Sequence, residues 1–222
     1  MDENAIHKAA APGLPFTPVA LGLAGCSGSG KTTLAAELVR MLGGIHFHLD
    51  NYYRDLSHLP LEERMQQNFD APELIEVPLL VRHVTALARG EAIERPLYDF
   101  SAHTRITGRT ETVAPAPLLI VEGLFALHYP ELLPVFRLRV YIDTPDSLCY
   151  ERRLKRDTEQ CGRSPESVRR QYEARVRPAS IAFVRPSAAH ADLVLDGIGA
   201  LDWKVERVVT ELRARGLLAG AV

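Results

Sequence analysis

A glycine-rich stretch near the N-terminus has the residue types needed to bind phosphate. Residues 25–32 read Gly-Cys-Ser-Gly-Ser-Gly-Lys-Thr, a full match to the phosphate-binding loop pattern G-x-x-x-x-G-K-[ST]. The glycines allow backbone N–H groups to surround a phosphate chain, and a following helix adds the positive end of its dipole. The pattern predicts that the chain binds a nucleoside triphosphate through Gly25, Cys26, Ser27, Gly28, Ser29, Gly30, Lys31, Thr32 and Thr33.

Two of these loop residues, together with two acidic residues, point to phosphoryl transfer. Lys31 would reach the β- and γ-phosphates, and the Thr32 hydroxyl would hold Mg²⁺. Asp50 and Glu122 each follow an apolar run that reads as a strand. Phosphoryl transfer needs a metal ion on the phosphates and a group that orients or deprotonates the attacking hydroxyl. Either acid alone would also serve as a helix N-cap, but their shared placement favours these functional roles.

Arginines in the stretch 151–177 form a second candidate group. Arg153 and Arg156 are three residues apart, hence on one helical face, and Arg163 lies in a glycine-containing break before a helix start. Such arginines on a mobile lid neutralise a transferring phosphoryl group and exclude water. Acidic residues are interleaved along this stretch, so we interpret its other arginines as a solvated helical face.

Strand-like and helix-like segments alternate along the chain, as they must to position these groups. This pattern predicts a P-loop NTPase-type α/β fold, in which a parallel sheet of about five strands is flanked by helices, with ligands at the carboxyl ends of the strands. The expected strands are 19–24, 45–49, 117–121, 138–142 and 192–195, and the expected helices are 31–42, 77–89, one beginning near Pro145, and a last one with apolar residues at Val205, Val208, Val209 and Leu212.

The remaining segments complete the predicted domain organisation. Residues 95–115 include a threonine-rich, alternating stretch that is typical of an antiparallel hairpin inserted into the core, and such insertions commonly carry specificity. Residues 1–16 are rich in Ala and Pro and are expected to be a disordered tail. We therefore expect one kinase domain over 17–222, with a lid region at 151–177.

Composition narrows the function classes further. The chain has 222 residues, of which 46% are hydrophobic, enough for one substantial core. Its net charge of −2 argues against binding to nucleic acid or anionic membranes, and no stretch approaches the ~20 apolar residues that span a bilayer. The three cysteines show no C-x-x-C pairing, so neither a disulfide framework nor a zinc-cysteine site is indicated. We expect a soluble, cytoplasmic protein.

One pair of histidines has a spacing that could bind a metal. His46 and His48 alternate along a predicted strand and would lie on one face. With no third ligand apparent in the sequence, we interpret them as ordinary strand residues.

Taken in order, the motifs resemble those of uridine (uridine/cytidine) kinases in the phosphoribulokinase/uridine kinase family. The phosphate loop alone is generic, but the Asp-x-Tyr-Tyr, Asn-Phe-Asp and Tyr-Asp-Phe-x-x-His motifs are specific to this family. The resemblance spans about residues 17–197. Its motifs are 25–33, Asp50-Asn51-Tyr52-Tyr53, Asn68-Phe69-Asp70 with Pro72, 96–100 with His103 and Arg105, Glu122-Gly123, Arg153 with Arg156-Asp157, Gly162-Arg163, Gln171-Tyr172 and Ala191-Asp192.

The resemblance implies a role for each candidate residue. Asp50 would accept the proton of a nucleoside 5′-hydroxyl, Lys31 and Arg156 would complete the catalytic group, and Arg163 would contact ATP. Thr32 and Glu122 would serve Mg²⁺. Phe69 and Phe100 would sandwich a pyrimidine, since aromatic faces suit a flat, uncharged base, with Tyr98 and His103 reading its edge. The ribose and the nucleoside orientation would fall to Tyr53, Asp70, Arg153 and Gln171.

The activity implied is phosphorylation of uridine and cytidine to UMP and CMP with ATP or GTP as donor, by a homo-oligomer, a tetramer in the family. One departure affects the lid, where Cys161 stands in place of the first arginine of the family's Arg-Gly-Arg. An alternative is a related kinase for another hydroxyl substrate, such as ribulose phosphate or pantothenate. Another is a non-catalytic nucleotide-binding regulator, although the chain has no Asn-Lys-x-Asp motif and retains Asp50 and Lys31.

Overall fold

The computed structural model describes residues 14–218. The predicted disordered tail, residues 1–16, lies outside the described residues except for its last three positions. Among the described residues, no helix has both the length and the apolar character required to cross a bilayer.

The core of the fold is a five-stranded sheet in which all neighbouring strands are parallel. The spatial order is β2-β5-β1-β6-β7, so the α/β fold predicted from the alternating pattern is confirmed, and strand bounds differ from the predicted ones by about one residue. The strands are β1 (Val19–Gly25), β2 (Ile45–His48), β5 (Leu118–Glu122), β6 (Leu138–Asp143) and β7 (Leu193–Asp196).

Apolar residues on both faces of the central strands explain why the sheet is covered twice. In β1, Ala20 and Ala24 pack on one side, whereas Leu21 and Leu23 pack on the other. All five residues of β5 are buried, which is typical of a parallel strand between two helical layers.

Three long helices supply these layers. Helix α1 (Lys31–Leu42) and helix α6 (Leu201–Ala214) cover one face, and helix α3 (Val77–Ala88) covers the other with Leu80, Val84 and Leu87. The four apolar residues predicted for the last helix are all buried. A short helix, α2 (Leu61–Met65), precedes α3.

An antiparallel hairpin interrupts the alternation where the sequence predicts it. Strands β3 (Ile93–Asp99) and β4 (Thr104–Val113) pair with each other and not with the parallel sheet. Most of β4 is exposed, so this hairpin projects from the core. A register shift between Pro96 and Tyr98 separates its outer part from the end that bears the aromatic residues.

The arginine-rich stretch begins in helix α4 (Asp146–Glu159) and continues into helix α5 (Pro165–Gln171). The Ser164 hydroxyl accepts a hydrogen bond from the Ser167 backbone N–H at 3.2 Å, which is the N-cap expected before Pro165. Gly162 allows the connecting turn, because its φ of 63° lies in the left-handed region. A continuous helical segment at 172–190 leads back to β7.

Candidate active site

The phosphate loop joins the carboxyl end of β1 to the start of α1. Gly30 is the N-cap of α1, with φ 98° and no capping side chain, so the first amides of the helix are left to an external partner. Gly28, at φ 85°, lies so close to helix α4 that an added Cβ would be 2.5 Å from the Cys149 carbonyl oxygen. Only glycine fits there, and the loop takes its shape from that contact.

The lysine of the loop is buried and makes a hydrogen bond within the loop. Lys31 Nζ donates to the Cys26 carbonyl oxygen at 3.2 Å. An incoming phosphate oxygen would be a stronger, charged acceptor for this ammonium group. The side chain is therefore held at the site and has a better partner available when phosphate binds.

Two carboxylates meet at the carboxyl edge of the sheet. Asp50 lies in a 3₁₀ turn directly after β2, and Glu122 ends β5, the strand next to β2. Burial and the neighbouring negative charge of Glu122 raise the pKa of Asp50 to about 6, although Lys31 and His48 act in the opposite direction. The like charges of Asp50 and Glu122 favour a cation between the two groups.

Several polar groups converge on one oxygen of Glu122. The Thr32 hydroxyl donates to Oε1 at 3.1 Å, His48 Nδ1 lies 3.0 Å from the same atom, and His46 Nε2 lies 3.5 Å from it. Burial would raise the pKa of Glu122, but the two imidazoles and the charge of Lys31 outweigh it and hold the pKa well below its usual value. Glu122 is therefore a carboxylate at any physiological pH.

A group of aromatic rings forms another part of the site. The Tyr53 hydroxyl donates to the Phe69 carbonyl oxygen at 2.8 Å, and the ring of Tyr53 contacts Tyr98 with centroids 5.6 Å apart. The Tyr98 hydroxyl is buried and has no hydrogen-bond partner among residues 14–218. A ligand with a polar edge would satisfy it.

The hairpin turn determines how the outermost rings are arranged. Asp99 accepts hydrogen bonds from the backbone N–H groups of Ser101 and Ala102. This turn leaves Phe100 against Tyr98, with centroids 5.1 Å apart. The ring of His103 stacks on Phe69 at 5.3 Å and an interplanar angle of 28°, and His103 has a positive φ of 52°, which is unusual for a residue with a side chain.

A buried aspartate organises the arginines of the predicted lid region. Asp157 accepts from Arg156 at 2.8 Å, approaches Arg153 at 3.4 Å and accepts from Arg163 at 3.3 Å. Arg153 also donates to Ser27 Oγ at 3.0 Å and to Gln171 Oε1 at 3.2 Å. It therefore connects the phosphate loop to helix α5.

Most of these groups line one cavity of about 800 Å³. Gly25, Cys26, Ser29 and Arg163 are predicted site residues that do not line it. Cys26 instead turns inward, with Sγ 2.9 Å from Ser180 Oγ, and Ser29 is fully buried. The predicted residues that do line the cavity are Ser27, Gly28, Gly30, Lys31, Thr32, Thr33, Asp50, Tyr53, Phe69, Asp70, Tyr98, Phe100, His103, Glu122, Arg153, Arg156 and Gln171.

Sequence reasoning missed several residues of the site. Arg152 and Lys204 line the cavity, and both donate to the Gly197 carbonyl oxygen, at 3.3 Å and 3.1 Å. Lys204 lies 172 residues after Thr32 of the phosphate loop and belongs to no recognised motif, so no local signal marks it. Asp157 belongs to the Arg156-Asp157 motif of the sequence analysis, but no role was assigned to it there, because its burial is visible only in the fold.

Comparison with known proteins agrees with this geometry. The phosphoribulokinase/uridine kinase family matches residues 20–203. The chain is 40% identical over 204 residues to a uridine kinase of Chloroflexus aggregans, covering 90% of this chain and 97% of that protein. It is 41% identical over 184 residues to a uridine kinase of Vibrio cholerae, covering 80% of this chain and 86% of that protein.

A solved structure supports the fold. Phosphoribulokinase from Rhodobacter spheroides superposes with a TM-score of 0.57 at 13% identity, covering 82% of this chain and 73% of that one. At this identity the likeness concerns the fold alone.

Proposed function

The chain belongs to the phosphoribulokinase/uridine kinase family, and on that premise we propose that it transfers the γ-phosphoryl group of ATP or GTP to the 5′-hydroxyl of uridine and cytidine. The observation that carries this proposal is one cavity lined both by the phosphate loop and by a group of aromatic side chains. Asp50 lines this cavity together with the phosphate loop and the aromatic residues.

At the donor end, the loop amides and Lys31 bind the phosphates. Gly25, Cys26 and Ser29 support the shape of the loop from outside the cavity. Lys31 leaves the Cys26 carbonyl oxygen for a phosphate oxygen. Arg156, whose side chain is about half exposed and lines the cavity, exchanges its hydrogen bonds to Asp157 for the transferring group. Arg163 does not line the cavity and supports the site indirectly, by donating hydrogen bonds to Asp157 and Gln171.

Thr32 and Glu122 are the residues that would hold Mg²⁺. Their oxygens lie 3.1 Å apart at the start of α1, and oxygen ligands are the ones Mg²⁺ prefers. The neighbouring like charges of Glu122 and Asp50, which contribute to the raised pKa of Asp50, give a divalent cation a favourable place. When bound, Mg²⁺ supplies charge neutralisation on the phosphates.

Asp50 accepts the proton of the attacking hydroxyl. With a pKa raised to about 6, this carboxylate is mostly ionised at neutral pH yet more basic than an ordinary aspartate. A base with its pKa near the operating pH transfers protons most effectively. Positioning and electrostatic stabilisation account for the remainder of catalysis.

The nucleoside occupies the aromatic end. The ribose is held by Tyr53, Asp70, Arg153 and Gln171. Burial raises the pKa of Asp70 despite the charges of Arg153 and Arg175. A buried carboxylate of this kind favours a partner that donates hydrogen bonds to it. The base stacks on Phe69 and Phe100 with its edge at Tyr98 and His103. His103 leaves Phe69 as the base enters, because rings 5.3 Å apart leave no room for a third ring between them.

A panel of substrates tests the proposal. Release of ADP is measured with ATP, Mg²⁺ and each of uridine, cytidine, adenosine, ribulose 5-phosphate and pantothenate. Uridine and cytidine should react with kcat/KM values within about tenfold of each other, a difference of ~1.4 kcal/mol, because a neutral imidazole at position 103 offers both a donor and an acceptor.

The panel also separates the alternatives. Adenosine should be a poor substrate, since the proposed space between Phe69 and Phe100 takes a base with a single ring. Preferred turnover of ribulose 5-phosphate or pantothenate would instead identify a related kinase for another hydroxyl substrate. Binding of ATP with no turnover of any acceptor would support a regulatory nucleotide-binding protein.

Two broader expectations follow from the same family membership. A kinase that consumes ATP or GTP is expected to act in the cytoplasm. Assembly as a homo-oligomer, a tetramer by the family resemblance, is expected as well, and analytical ultracentrifugation of the full chain measures it directly.

A further inference from the structure

A cluster of side chains with the chemistry of metal ligands lies at the edge of the sheet, beside the phosphate loop. His46 and His48 project from β2, and their rings lie with centroids 3.9 Å apart. Glu122 on the neighbouring strand β5 supplies the third donor that the sequence did not reveal. The ligand atoms of the three residues all lie within 4.8 Å of one another.

Strand register explains why these three meet. Residues two apart on a strand share a face, which places both histidines on the same side of β2. His48 is directly paired with Glu122 in the parallel ladder. The arrangement is therefore fixed by the backbone of the two strands and does not depend on a flexible loop.

The distances suit a small transition-metal ion. Metal–ligand bonds of about 2.0–2.2 Å in a tetrahedral zinc site place neighbouring ligand atoms about 3.4 Å apart. Here the Glu122 Oε1 atom is 3.0 Å from His48 Nδ1 and 3.5 Å from His46 Nε2. Small side-chain adjustments would bring all three donors onto one ion.

Burial and bonding favour a ligand at this place. His46 Nε2 is buried, and its contact with Glu122 Oε1 at 3.5 Å is too long for a normal hydrogen bond within residues 14–218. The side chain of Glu122 is 7% exposed, whereas that of His48 is 42% exposed. The site is thus mostly enclosed, with His48 at its open side.

From this geometry we infer that His46, His48 and Glu122 form a binding site for a zinc-class divalent ion. Imidazole nitrogens suit Zn²⁺, Co²⁺ and Ni²⁺, whereas Mg²⁺ prefers oxygen ligands alone. Two imidazoles and one carboxylate also leave a fourth position open to water or a phosphate oxygen. The site therefore discriminates against Mg²⁺ by ligand type.

Such an ion would inhibit phosphoryl transfer. It would occupy the Glu122 oxygen that now accepts from Thr32, and so compete with Mg²⁺ there. This consequence for turnover rests on the proposed function, whereas binding of the ion does not.

Equilibrium dialysis of the full chain, prepared without an affinity tag and stripped by a chelator, tests the binding. Zn²⁺ alone should bind at one equivalent, and Co²⁺ should give the visible absorption of a low-coordinate site. His46→Gln and His48→Gln should each weaken Zn²⁺ binding at least tenfold, while His58→Gln and Cys161→Ser, which change other exposed ligand types, should not.

Two results would overturn the site: no stoichiometric binding to the wild-type chain, or equal affinity in the wild type and in both histidine variants. The half-exposed His48 is the safer variant for folding, and the Co²⁺ spectrum of the wild type gives a measurement that needs no variant.

Turnover is measured separately, with uridine, ATP and excess Mg²⁺. Zn²⁺ should inhibit the wild type, a zinc-selective chelator should reverse the inhibition, and His48→Gln should raise the inhibitory concentration at least tenfold. Stoichiometric binding without inhibition would leave the zinc site standing and would contradict the role of Glu122 in holding Mg²⁺.

Discussion

At the scale of single residues, Asp50 and Glu122 are two carboxylates with opposite tendencies. Burial and the negative charge of the neighbouring Glu122 raise the pKa of Asp50 to about 6. Glu122 is surrounded by two imidazoles, a threonine hydroxyl and Lys31, which keep it ionised. Environments that push two titratable groups apart in this way separate a proton acceptor from a permanent anion.

Asp50→Asn should therefore abolish most turnover and leave donor binding nearly unchanged. The amide cannot accept the proton, and general-base contributions are typically ~10²–10⁴-fold in rate. The expected result is a kcat for uridine reduced by about that factor, with the Kd for an ATP analogue within about threefold of the wild type by calorimetry. Turnover near the wild-type value would remove Asp50 from this role.

The pH dependence of kcat/KM should report the same group. On the proposed role of Asp50 as proton acceptor, its ionised form is the active one, so kcat/KM for uridine should fall as pH drops through about 6 and approach a tenfold loss per pH unit below it. An unperturbed aspartate would remain active down to about pH 4. Stopped assays between pH 5 and 8 measure this limb, and a flat profile down to pH 5 would contradict the assignment.

At the scale of elements, the predicted lid region, residues 151–177, is organised around one buried carboxylate. The side chain of Asp157 is 5% exposed and is shared by Arg153, Arg156 and Arg163. Arg153 is itself 10% exposed, so that pair is shielded from solvent. The contact with Arg156, whose side chain is 48% exposed, contributes little to stability because water screens it.

Asp157→Asn should destabilise the chain and disorganise the lid arginines. Removing one partner from a buried ion pair costs ~3–5 kcal/mol, which for a domain of this size lowers Tm by roughly 6 °C or more. Thermal unfolding measures the effect. Glu159→Gln, at an exposed position of the same helix, is the control and should leave Tm nearly unchanged. Equal Tm values for the two variants would contradict the stabilising role of Asp157.

The elements themselves were largely predictable, whereas contacts across them were not. Helix α1 has the predicted bounds of 31–42, and the apolar run ending at Glu122 is the central strand β5, because buried strands and amphipathic helices leave periodic patterns. The third donor beside His46 and His48 could not be predicted, since it depends on which strand is adjacent to β2. The same limit applies to Lys204, which reaches the cavity from α6.

Within the site, patterns gave the residue types but not their mutual arrangement. The aromatic residues of the hairpin line the cavity as expected, yet the stacking of His103 on Phe69 follows from a left-handed backbone at one turn position. Cys26 belongs to the loop pattern, but its side chain points towards Ser180. Side-chain direction in a tight turn is determined by tertiary packing.

At the scale of the whole molecule, the cavity spans separate parts of the fold. The phosphate loop and α4 supply the donor end, and the hairpin supplies the aromatic end. Arg153 donates hydrogen bonds to Ser27 in the loop and to Gln171 in α5. A ligand at either end of the cavity would therefore affect the position of the same side chain. Closure of the lid over both ligands would exclude water from the reacting phosphate.

This arrangement predicts that residues 151–177 respond to the two ligands together. Limited proteolysis of the full chain should cut within this stretch when no ligand is present. A non-hydrolysable ATP analogue or uridine alone should slow the cleavage only slightly, because each fills one end of the cavity, whereas both together should slow it at least tenfold. Asp157→Asn should lose most of that combined protection, since its arginines no longer share an anchor. Cleavage at the same rate with and without both ligands would show that this stretch is a static, solvated helix pair and not a lid.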